Sequence, residues 1–126
     1  MSVVEQYARA HLVTDSQDGE RAVPVVLSYD PVADPARVRV CLPGPHRWTF
    51  TRDLLERGLL APASAGRVSV WPCGRVRAVV EFHSAHGVAV VQFDATTLIR
   101  FLRSTYAATA TTPATTPAPA AAPVRQ

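Results

Sequence analysis

Apolar and polar residues alternate with a period of two along most of the chain. Over residues 4–13 the alternation is loose, with Val4, Ala8, Ala10 and Leu12 set against Glu5, Tyr7, Arg9 and His11. It is cleaner at 23–29, where Val23, Val25, Leu27 and Tyr29 share a face, and at 38–42, where Val38, Val40 and Leu42 oppose Arg39 and Cys41. Trp48 and Phe50 lie on one face of 47–51, and Val68 and Val70 on one face of 67–71. Val76, Ala78, Val80 and Phe82 point one way at 75–83, with Arg77, Val79, Glu81 and His83 on the other side, and VAVVQF at 88–93 supplies a return strand. Successive side chains of a strand project to opposite faces, so the pattern predicts about seven strands.

Turn chemistry separates these runs. DSQDGE (15–20) reads as a loop, as do Asp30-Pro31, Asp34-Pro35, Pro43-Gly44-Pro45, the stretch 61–66, Pro72 with Gly74, and Ser84 to Gly87. Two segments leave the two-residue period. From Thr51 the chain reads TRDLLERG, a helix of about two turns with Thr51 as N-cap, Leu54 and Leu55 as its apolar stripe and Gly58 as its stop. Asp94 is a candidate N-cap for a second helix, whose stripe is Leu98, Ile99, Phe101 and Leu102 and whose last turn holds Arg103. The expected class is α+β and mainly antiparallel, because most connections are too short for parallel crossovers. The chain of 126 residues suits one domain, expected over 1–106. The Ala/Thr/Pro-rich stretch 107–126 buries little and is expected to be a disordered tail.

Charge and composition narrow the functions. The net charge is +3, and all 13 basic residues are arginine. Arginine forks suit phosphate, but these are spread along the chain and offset by 10 acids, in a composition also rich in Ala, Val and Pro, as GC-rich coding favours. No apolar run reaches the length of a membrane span, and Glu5 and Arg9 interrupt the N-terminal region where a secretory signal would be apolar, so a cytoplasmic location is expected. Cys41 and Cys73 then read as free thiols.

Little supports catalysis. Glu81 and His83 share a strand face with His86 in the next turn, a set that could in principle hold zinc but reads as a solvated strand face beside a loop histidine. Cys73 has no local histidine and carboxylate to make it a nucleophile. Trp48, Phe50, Trp71 and Phe82, with Arg47, Arg67, Arg75 and Arg77 nearby, could form a stacking platform for single-stranded nucleic acid or serve as core anchors. No metal, cofactor or catalytic residue is therefore assigned. The polar residues of the first helix, Arg52, Asp53, Glu56 and Arg57, together with Trp71, are the candidate protein-interaction residues.

The segment from Trp48 to Pro72, with Arg52-Asp53-Leu54-Leu55, Gly58-Leu59, Pro62, Gly66 and Val68-x-Val70-Trp71-Pro72, resembles the signature region of the SsgA-like proteins of sporulating actinobacteria. Val23-Pro24-Val25, Leu27-Ser28-Tyr29-Asp30, Asp34-Pro35 and the run from Leu98 to Thr105 extend the resemblance over roughly 5–106. It implies a non-enzymatic regulator of sporulation-specific cell division, an adaptor that places the septum with the tubulin-like FtsZ or another SsgA-like protein as partner. It further implies a homotrimer at the division septum and a whirly-like fold of two sheets with two helices. Whirly relatives bind single-stranded DNA, which supplies the alternative function. The Ala63–Gly66 loop, the basic balance and the Ala/Thr/Pro tail depart from the family pattern.

Overall fold

A computed structural model describes residues 3–13, 20–44 and 46–110. The turn expected at 15–20 lies outside these residues apart from Glu20, as do Pro45 and the stretch from 111 onward. The strands are β1 (Val4–Val13), β2 (Glu20–Tyr29), β3 (Arg37–Leu42), β4 (His46–Thr51), β5 (Ala63–Ala65), β6 (Val68–Cys73), β7 (Arg77–Ser84) and β8 (Gly87–Asp94); the helices are α1 (Arg52–Leu60) and α2 (Ala95–Ala110).

All neighbouring strands are antiparallel, in the order β4-β3-β2-β1-β8-β7-β6-β5. This corrects the expectation of two sheets. Two four-stranded meanders, each followed by a helix, fuse into one sheet where β1 meets β8. The seam is short: only His11, Leu12 and Val13 pair with Gln92, Val91 and Val90, whereas β1 and β2 pair along their whole length. The sheet curls. Trp48 of β4 stacks on Phe82 of β7 with ring centroids 4.8 Å apart, and Phe50 lies 6.1 Å from the same ring.

The curl encloses the core. Val23, Val25, Leu27 and Tyr29 of β2, Val38 and Val40 of β3, and Ala78, Val80 and Phe82 of β7 are buried on its inner face. Leu54 and Leu55 of α1 and Leu98, Phe101 and Leu102 of α2 close that face. Each large apolar side chain removed from water contributes about 1.5–3 kcal/mol, so these helices stabilise the sheet by covering it. The outer face of the sheet carries the alternate residues.

Several local expectations change. Ala63–Ala65 is a short strand, not a loop: it pairs with Val68–Val70. Gly58 does not stop the first helix. It is buried within it, and a Cβ there would lie 2.3 Å from Val70 Cβ, so glycine permits the close approach of α1 to β6. Val76 is exposed because β7 begins only at Arg77, after the Gly74 turn. The second helix passes the expected boundary at 106 and runs to Ala110, which removes Arg103 from its last turn.

Candidate protein-interaction site

Helix α1 begins as its sequence dictates. Thr51 Oγ1 accepts the Leu54 amide at 3.1 Å, capping an otherwise unpaired N–H. Leu54, Leu55 and Gly58 then face the core, which turns Asp53, Glu56, Arg57 and Leu60 outward at helical spacing.

The sequence-predicted residues separate into three environments. Arg52 is half-buried and turned toward α2. Its Nη1 donates to Thr109 Oγ1 at 2.8 Å, to Tyr29 Oη at 3.2 Å and to the Thr105 carbonyl at 3.3 Å. Its guanidinium also lies 3.9 Å from the Tyr106 ring centroid. Tyr29 Oη in turn donates to the Pro35 carbonyl at 2.8 Å. Arg52 therefore ties the start of α1, the β2–β3 turn and the end of α2 together.

Asp53 pairs with Arg57 one turn on, at 2.7 Å and with both side chains largely exposed. Such exposed pairs contribute only about 0.3–0.5 kcal/mol, so this pair gives the helix face its charge pattern without fixing the fold. Glu56 accepts the Tyr106 hydroxyl. That hydrogen bond, with some desolvation and the Glu56 charge, raises the Tyr106 pKa above the ordinary tyrosine value.

Trp71 lies elsewhere. Val70 faces α1, so Trp71 projects from the opposite face of the sheet, across from Val79 and half-buried. The structure thus gathers Asp53, Glu56 and Arg57 on one surface, places Arg52 behind it and leaves Trp71 on the far side. Sequence reading missed Leu60, which is 83% exposed on the same helix face, and Tyr106, which α2 brings to it. The spacing of 53, 56, 57 and 60 was a legible signal for Leu60. Nothing local marked Tyr106.

The other candidate groups disperse. Phe50 and Phe82 are core residues, Trp48 stacks on Phe82, and Trp71 is on the other face, so the four aromatics form no common platform. Glu81 and His83 meet at 2.5 Å. His86 sits in the following turn, and among the described residues no three potential ligands converge on a metal position. Cys41 and Cys73 are free thiols on β3 and β6.

A single curled antiparallel sheet with two helices on its inner face defines an α+β scaffold with an exposed, charged helix face. A family model described as "Streptomyces sporulation and cell division protein, SsgA" matches residues 23–112, and the chain belongs to that family. The sporulation-specific cell division protein SsgB of Salinispora tropica is 38% identical over 93 residues, covering 67% of this chain and 64% of that protein. SsgB of Kineococcus radiotolerans is 46% identical over 61 residues, or 44% and 37% of the two chains. The chain thus aligns with under two thirds of either relative's length.

Among solved structures, one from work on SsgB and longitudinal cell division during sporulation of Streptomyces coelicolor matches with a TM-score of 0.75 and 32% identity, covering 85% of this chain and 88% of that one. The SsgA-like sporulation-specific cell division protein from Thermobifida fusca superposes with a TM-score of 0.76 at 24% identity, covering 85% and 82%, and supports the fold. The resemblance carried by Trp48 to Pro72 is a true family relationship. Among the described residues no helix is long and apolar enough to cross a membrane.

Proposed function

We propose that the protein is a non-enzymatic regulator of sporulation-specific cell division. It is an adaptor that helps place the septum and division machinery through protein contacts. The observation that carries this reading is the family match across 23–112, with relatives described as sporulation-specific cell division proteins. FtsZ or a second SsgA-like protein is the partner, and the working form is a homotrimer in the cytoplasm at the septum. Asp53, Glu56, Arg57 and Leu60 form the contact face, with Arg52 fixing it from behind.

A fluorescent fusion should mark sporulation septa, and light scattering should give three chains per particle. Asp53→Ala with Arg57→Ala should leave the melting temperature nearly unchanged, because exposed pairs contribute little, yet disperse the septal signal. Wild-type fluorescence that is diffuse, with normal septation after deletion, would overturn the proposal.

A further inference from the structure

The sheet ends at two edges, and they differ. Strand β5 has three residues, whereas β4 has six, HRWTFT, with no proline and no acid. Strand β3 occupies one side of β4, and among the described residues the sheet ends at its other side. Alternate backbone N–H and C=O groups of an edge strand point outward and can accept another strand.

The curl shapes what such a strand would meet. Beside β4 lies an open cleft of about 490 Å³ whose walls include Trp48, Phe50, Leu54 and Val68, with Arg37 and Arg67 at its rim. On the outer face the pairings Arg37↔Thr51, Arg39↔Thr49 and Cys41↔Arg47 place three arginines along β3 and β4. Arg37 lies 3.9 Å from Asp34, and Asp30 is within electrostatic reach of Arg39. Among the described residues, Arg39, Arg47 and Arg67 form no salt bridge.

We infer that the β4 edge and its cleft are a docking groove for an extended segment of a partner protein in which acidic and apolar side chains alternate. Added beside β4, such a segment would send every second side chain into the cleft, against the half-exposed Trp48. The intervening side chains would emerge on the outer face, beside the arginines. The charge pattern selects carboxylates there, and the aromatic wall selects apolar groups inside. Residues 111–126 of this chain do not fit: they contain no acid and include Pro113, Pro117, Pro119 and Pro123. The inference rests on the protein-binding reading but uses a surface separate from the outer face of α1.

The test uses the full chain and a short synthetic peptide alternating aspartate with valine, against a peptide of the same composition with its acids in one block. Saturable binding of the alternating peptide should slow hydrogen exchange at the amides of His46–Thr51. Arg47→Glu combined with Arg67→Glu should weaken it by at least about tenfold, the size of one lost charge-assisted hydrogen bond. Failure to bind, or equal binding of the block peptide without amide protection, overturns the groove. So does protection of β4 by oligothymidine but not by peptide, which would assign the cleft to nucleic acid. A negative peptide result with septal fluorescence intact removes the groove alone. Diffuse fluorescence with peptide binding intact removes the septal role alone.

Discussion

Helix α1 reaches the sheet through a glycine, and α2 reaches it through phenylalanine and leucine. At Gly58 the α1 backbone comes so near β6 that a single added carbon would overlap Val70. Along α2, Phe101 and Leu98 fill the space between helix and sheet and are fully buried. Both helices bridge the two halves: α1 follows the first meander but packs mainly on β5 and β6 of the second, while α2 packs on β7 and β8 of its own meander and also reaches β1 of the first. One contact is short-range and intolerant of addition; the other is voluminous and intolerant of removal. Each helix touches both meanders, so the two halves share one core despite the short β1–β8 seam.

This comparison gives an ordered set of expectations. Phe101→Ala should cost most, about 3–5 kcal/mol, through lost burial and a residual cavity; chemical denaturation reads it directly. Gly58→Ala should cost about 1–2 kcal/mol: overpacking against Val70 outweighs the helix-propensity gain of alanine. A neutral or stabilising Gly58→Ala would show that α1 can slide and is not pinned by contact.

Arg52→Lys should cost about 1 kcal/mol, because an ammonium cannot donate in a planar fork and lie over Tyr106 at once. Its diagnostic effect is local: amides of 105–110 should exchange faster than those of the first turns of α2. The smallest effect lies in the β2–β3 turn. Asp30 Oδ1 accepts the Ala33 and Val32 amides at 3.0 Å each, and these bonds lower its pKa below the ordinary 3.8. A depressed folded pKa contributes stability that is complete above the unfolded value and is lost as pH falls through the folded one. The melting-temperature gap between wild type and Asp30→Asn should therefore close on acidification below pH 3.8 and stay constant near neutrality.

Much of the fold was legible because periodicity is a direct imprint of a one-sided sheet. Val23, Val25, Leu27 and Tyr29 alternate and are all buried. The short strand β5 left no such imprint, since Ala63, Ser64 and Ala65 are small and lack the β-branched bulk that marks a strand. Gly58 was misread because a helix stop and a close-packing glycine look alike without Val70. Val79 seemed to belong to a polar face, yet it is buried opposite Trp71.

The candidate site was legible to the same depth. The exposed trio Asp53, Glu56 and Arg57 follows from helical spacing. The role of Arg52 does not, because its partners Tyr29 and Thr109 lie 23 and 57 residues away. Asp94 illustrates the same limit: it precedes α2 as expected of a cap, but its carboxylate faces Arg77 at 3.7 Å.

The seam between β1 and β8 also sets an order of events. The first strand of this sheet to be synthesised finds its second neighbour only in the last, and Gln6 donates to the carbonyl of Thr97, 91 residues further on. Contacts of such sequence separation close late, because the entropy of closing the long intervening loop must be met before they can reward it. During synthesis the first meander must therefore wait with one flank of β1 unpaired and its inner face uncovered. The nascent chain is most vulnerable to strand-to-strand association in that interval, and completion of β8 and α2 closes the β1 flank and covers the inner face.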